Sequence, residues 1–140
     1  MSFFDFSERV RRAQNQAPDE ATRLSAKTTV HRAEFPKAVR RAGFEMLGEG
    51  FAPGTHDLII GAAPWSDFDL EVLQRLVSAV RGRTVRVIVF DIDGLSYAEM
   101  VRLLPGIRRF IQTPVVLQYR DAELTYLGEG RAADLWLQQF

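Results

Sequence analysis

The first apolar positions, Phe3, Phe4, Phe6 and Val10, are set against Arg9, Arg11 and Arg12, a distribution that predicts an amphipathic helix over 1–13. A polar stretch follows from Gln14 to Thr28. Within it Pro18 suits the start of a short helix, and Asp19 and Glu20 fall in the first turn, where carboxylates meet the positive end of the helix dipole. Thr29 to Phe35 leans towards strand and is closed by Pro36. Val39, Ala42, Phe44 and Met46 or Leu47 then recur at helical spacing over 37–47, until Gly48 and Gly50 stop the pattern.

Beyond the Pro53-Gly54 turn, Leu58, Ile59 and Ile60 form the unbroken apolar run of an interior parallel strand within Asp57 to Ala63. Leu70, Leu73, Leu76, Val77 and Val80 recur every three or four residues and predict a helix over 66–81, ended by Gly82. Thr84 to Ile92 is rich in β-branched residues and predicts a second central strand that stops at Asp93-Gly94. A third helix is expected over 96–110. Thr113-Pro114 then breaks the chain, Val115 to Tyr119 extends, 120–123 turns back, Leu124 to Leu127 returns, and a closing helix over 131–140 follows Gly128 and Gly130. Helices between strands force parallel neighbours, and a terminal hairpin adds antiparallel ones. The expected architecture is α/β, a mixed central sheet with helices on both faces, in the order β-α-β-α-β-α-β-β-α over 29–140. A helical extension over 1–28 precedes it.

Three local signatures lie on this order. The strand ending at Ala63 runs through Pro64 and Trp65 into a helix that begins Ser66-Asp67-Phe68-Asp69. Pro114 opens the strand after the third helix, and the 121–123 turn is followed by Gly128-Glu129-Gly130 before the last helix. Together they resemble the thioredoxin-like superfamily over 29–140. In that family Cys-Gly-Pro-Cys or a variant stands where this chain has residues 66–69, so both cysteine positions are lost. The resemblance implies a cis bond before Pro114, which an X-Pro peptide populates cheaply. It also implies a partner-binding groove formed by Trp65, Ser66, Phe68, Asp69, Thr113 and Pro114. The sequence departs from the family at Ala122, where glycine is usual, and at Ile60, where a buried acid often assists proton transfer.

Composition sharpens this picture at one point. The chain has no cysteine, which removes disulfides, thiolate nucleophiles and cysteine-ligated metals together. A thiol-disulfide exchanger needs two thiols. The resemblance therefore implies a redox-inactive adaptor, chaperone-like or accessory subunit, similar to Cys-less hydrogenase-maturation chaperones. Such a protein binds another protein, needs no cofactor and is not an enzyme. With 140 residues one core is expected. The 18 acidic and 18 basic residues cancel, so charge argues neither for nucleic acid nor for a membrane surface. No apolar run has the length of a signal peptide or membrane span, and cytoplasmic residence is expected by default. His31 and His56 are too few for a histidine-rich metal site and read as solvated or core side chains.

Ser66 with Asp69 three residues later reads as a capping box, worth about 1 kcal/mol. Trp65 and Phe68 divide evenly between core packing and binding anchors. Phe3, Phe4, Phe6 and Val10 either fold back on their own domain or form a second interface, to a partner or across a homodimer. Two other chemistries compete. Val89 to Gly94 resembles the first motif of haloacid-dehalogenase-like phosphatases, with Asp91 as nucleophile and Asp93 as acid/base. It departs at Leu95, where threonine is expected, and only 46 residues follow Gly94, without an adjacent acidic pair to hold magnesium. Glutathione binding is the other alternative, implied by relatives of the fold that hold the peptide on the cis-proline backbone.

Overall fold

The structure, a computed structural model, describes residues 2–140. Along the chain it forms α1 (Ser7–Gln16), α2 (Glu20–Arg41), β1 (Glu45–Met46), β2 (His56–Ala62), α3 (Asp67–Ala79), β3 (Arg86–Asp91), α4 (Tyr97–Leu103), β4 (Val115–Arg120), β5 (Glu123–Glu129) and α5 (Gly130–Gln138). The strands make one sheet in the order β1-β3-β2-β4-β5. β1, β3 and β2 run parallel, and β4 and β5 join through antiparallel ladders. This is the α/β architecture with a mixed sheet that the pattern predicts.

Alternation along β2 divides the core between the two faces of the sheet. Leu58 and Ile60 pack with Phe35, Val39, Leu73, Leu76 and Leu137, side chains of α2, α3 and α5. Ile59 packs with Phe90, Leu104, Leu117 and Tyr119, where α4 and the segment after it cover the sheet. Each buried leucine or isoleucine contributes about 2 kcal/mol. Among the described residues no helix is long and apolar enough to cross a membrane.

The N-terminal third departs from its sequence expectation. No strand forms over 29–35: α2 runs through the short helix expected after Pro18 and the expected strand, and so spans the expected junction at 28/29. Asp19 caps it by accepting the Thr22 N–H at 2.7 Å. Ala26, His31, Phe35, Ala38 and Val39 give it a buried stripe. Packing along that stripe overrides the local preference of Thr29 and Val30. Pro36 lies inside the helix. Its ring and missing N–H cost about 3 kcal/mol in a helix interior, offset here by the burial of Phe35 and Val39. The helix expected over 37–47 is the end of α2, followed by a turn at Gly43, φ +87°, and the short strand β1. Residues 47–55 then cross β3 to reach β2 with no helix between.

Two other helices are shorter than their patterns. α1 starts at Ser7, whose N–H is taken by the Asp5 carboxylate at 3.0 Å, so Phe3, Phe4 and Phe6 precede the helix. Met1, within the helix expected over 1–13, lies outside the described residues. α4 ends at Leu103 rather than at Phe110 because Pro105 drives Leu104 out of the helical region, φ −119° and ψ 89°.

Candidate functional site

β2 and β4 are antiparallel with Gly61 opposite Val115. Continuing that register sets Ala62-Ala63 beside Thr113-Pro114, so the loop leaving β2 and the turn entering β4 meet at one end of the sheet. The Thr113-Pro114 peptide is cis. The Pro114 carbonyl accepts the Gly130 N–H at 2.8 Å, which ties the turn to the start of α5. Gly61 is needed for this approach, since a β-carbon there would overlap Phe90 and Val115.

α3 begins beside the turn. Ser66 is its N-cap, and the hydroxyl accepts the Asp69 N–H at 3.3 Å. The expected capping box is only half made. The Ser66 N–H donates to the Ala63 carbonyl at 3.0 Å, and Asp69 Oδ2 turns instead to the Ala63 N–H at 2.8 Å. Asp69 is only 1% exposed, and its Oδ1 makes no hydrogen bond. Burial pushes its pKa above the ordinary carboxylate value, against the pull of the Ala63 amide and the nearby Thr113 and Ser66 hydroxyls. A complete capping box does occur at α4, between Ser96 and Glu99.

Trp65 and Phe68 flank this cap and project outward, 42% and 41% exposed. Trp65 Nε1 donates to Asp93 Oδ2 at 3.5 Å, and Arg32 Nη2 reaches the same oxygen at 2.9 Å. Lys27 lies 3.4 Å from Asp67. His31 is buried with Nδ1 2.7 Å from the Pro64 carbonyl; a carbonyl only accepts, so Nδ1 carries the proton. Phe6 meets the His31 ring edge-on at 5.1 Å. α2 thus holds the Pro64–Asp67 loop from one side.

The sequence-predicted residues fall into three groups. Trp65, Ser66, Phe68 and Asp69, at the start of α3, lie at the same end of the sheet as Thr113 and Pro114, with the Thr113 hydroxyl near Asp69. Phe4 and Phe6 are buried in the chain's own core, with Phe3 and Val10 packed against it. Asp91 and Asp93 sit at the end of β3. Asp91 Oδ1 accepts the Asp93 N–H at 2.8 Å, and burial raises the Asp91 pKa. Among the described residues no group of three or more histidine, cysteine, aspartate or glutamate side chains is placed to hold a metal ion.

Sequence reasoning misses Ile111, which is 92% exposed in the loop before Thr113. Its N–H donates to Glu129 Oε1 at 3.3 Å. The available signal is Pro105-Gly106, which ends α4 early and leaves Ile111 outside any helix. Clefts of about 350 Å³ between α3 and α5 and about 600 Å³ beside Phe3, Phe44 and Val80 do not include Trp65, Phe68 or Pro114. The surface around the cap therefore offers exposed rings and a backbone turn, without a sulfur atom at residues 66–69. No protein-family model matches the chain, and no curated protein matches it.

Proposed function

We propose that the chain is a redox-inactive member of the thioredoxin-like superfamily that acts by binding another protein, as an adaptor, chaperone-like or accessory subunit. The observation that carries the reading is that the half-exposed Trp65 and Phe68 flank the start of α3 at the end of the sheet where the cis Thr113-Pro114 turn lies beside Ala62-Ala63. Half-exposed aromatic rings are poorly used in water and make strong anchors when a partner covers them. The order β1-β3-β2-β4-β5, with its two antiparallel strands after α4, supports the same reading. The absence of a helix between β1 and β2 departs from the expected order, and α2 covers that face of the sheet instead.

Replacing Trp65 and Phe68 together by alanine tests the reading. Both side chains are more than two-fifths exposed, so truncation is expected to cost less than about 1 kcal/mol of stability. Affinity capture from the native host should lose the partner that the unaltered chain retains, with the thermal midpoint nearly unchanged. Equal recovery of the same partner by the double variant would remove this surface from the function.

A further inference from the structure

β5 ends the sheet, and among the described residues no strand pairs with its outer edge. It is seven residues long, against two for β1 at the opposite edge. Neither proline nor lysine, the common guards of an open strand, occurs in it. The register identifies which backbone groups are bare. The Gly130 N–H bonds to the Pro114 carbonyl, and hydrogen-bonded pairs alternate along an antiparallel ladder. Gly128 and Tyr126, opposite Val116 and Gln118, therefore also bond to β4. Leu127 and Glu129 fall between those positions, so the N–H and C=O of Leu127 and the N–H of Glu129 point away from β4, while the Glu129 C=O, at the N-cap of α5, is taken up by the first turn of that helix. Two residues apart, the Leu127 and Glu129 N–H groups present the repeat that an added strand requires.

Charge and exposed apolar surface define what such a strand would carry. Glu123 and Glu129 stand at the two ends of β5, and among the described residues neither enters an ion pair. The hydrogen bond from the Ile111 N–H to Glu129 sets the exposed Ile111 beside the same end. The outward-facing Leu127 and Glu129 set the register for a second copy: each Glu129 would lie opposite Leu127 and diagonal to the other Glu129, where like charges repel. A basic residue of another chain beside Glu129, and a second beside Glu123, meets attraction instead.

We propose that the outer edge of β5 takes an extended segment of another polypeptide, with lysine or arginine facing Glu123 and Glu129 and an apolar side chain against Ile111. This surface adjoins the Thr113-Pro114 end of the Trp65 groove but does not rest on the function proposed for it. The test uses the full chain with two synthetic peptides of β5 length, alternating valine and threonine, one ended by lysines and the other by glutamates. Amide exchange and chemical shifts followed by NMR are expected to show the lysine-ended peptide protecting Leu127 and Glu129. It should bind about tenfold more tightly than the glutamate-ended one. The double reversal Glu123→Lys with Glu129→Lys should invert the preference; because Glu129→Lys also removes the acceptor of the Ile111 N–H, Glu129→Gln, which keeps an acceptor oxygen, is measured beside it and should narrow the preference. The proposal fails if neither peptide alters these amides at millimolar concentration, or if both bind equally. It also fails if the amides become protected as the protein's own concentration rises, which would make a second copy the occupant. Loss of peptide binding in the Trp65→Ala, Phe68→Ala variant would move the peptide to the groove and overturn it equally.

Discussion

Asp57 and Asp69 are both buried carboxylates on or beside β2, yet their surroundings drive them in opposite directions. Burial alone would raise the pKa of Asp57. Arg86, with Nε at 2.7 Å and Nη2 at 3.2 Å, and the Gly54 N–H at 2.6 Å overcome that and hold it below its ordinary value. Asp69 has one firm donor, and burial wins. The consequences for stability have opposite signs. The contribution of Asp57 is present above its unfolded value and is lost as pH falls through its lower folded value. That of Asp69 is present in full below 3.8, the ordinary value, and is lost as pH rises through the higher folded value. Asp69→Asn keeps an oxygen for the Ala63 N–H and carries no charge. It is expected to stabilise the protein by about 1 kcal/mol near pH 7, with the gain shrinking to nothing at acid pH. Urea unfolding of both proteins across that range checks this, and a gain independent of pH would remove burial of charge as the cause. The Ser66 cap was legible from residue spacing. The second partner of Asp69 was not, because it depends on how the 63–66 loop folds over the helix end.

At the level of elements, legibility followed periodicity. β2, β3 and α3 were readable because their apolar repeats and their burial agree. α2 was not, because Thr29, Val30 and Pro36 send local signals against a helix while the packing that outweighs them lies far along the chain, in α3 and the sheet. β5 shows a milder case. Leu124 and Leu127 face the same core cluster although three residues apart, because the ladder shifts register between Gln118 and Tyr119. The hairpin before it is legible as a turn but carries an unsuitable residue. Asp121 and Ala122 sit at φ 50° and 66°, the left-handed pair that a tight hairpin requires. Aspartate tolerates that region, whereas a β-carbon at Ala122 costs about 1–2 kcal/mol. The N–H groups of both residues are held, by Thr55 and Gly54 carbonyls at 2.9 Å each, so the turn cannot relax without losing those bonds. Ala122→Gly is expected to stabilise the protein by about 1 kcal/mol after the added freedom of the unfolded chain is counted. Denaturant midpoints measure it, and an unchanged or lower midpoint would show that the turn is not strained.

Across the whole molecule, charge is unevenly shared. Residues 1–41 hold nine basic and five acidic side chains, and residues 42–140 hold nine and thirteen. The two parts meet at the candidate surface, where Lys27 pairs with Asp67 and Arg32 with Asp93. These pairs are largely exposed, and such pairs contribute little, typically under about 1 kcal/mol. What fixes the N-terminal arm is therefore apolar. Phe4 and Phe6 belong to the same buried cluster as Phe35, Leu58 and Leu73, so the arm and the sheet share one core and should unfold together. Phe6→Ala is expected to cost about 3 kcal/mol and to shift the whole transition. The two tryptophans, at 65 and 136, report on the body through fluorescence, while far-UV circular dichroism is weighted by the long helix α2. For the unaltered chain and for Phe6→Ala the two signals should trace a single urea transition, displaced but still superimposed. If dichroism falls first and fluorescence later, α1 and α2 form an appendage with its own stability, and the shared core does not anchor the loop that carries Trp65.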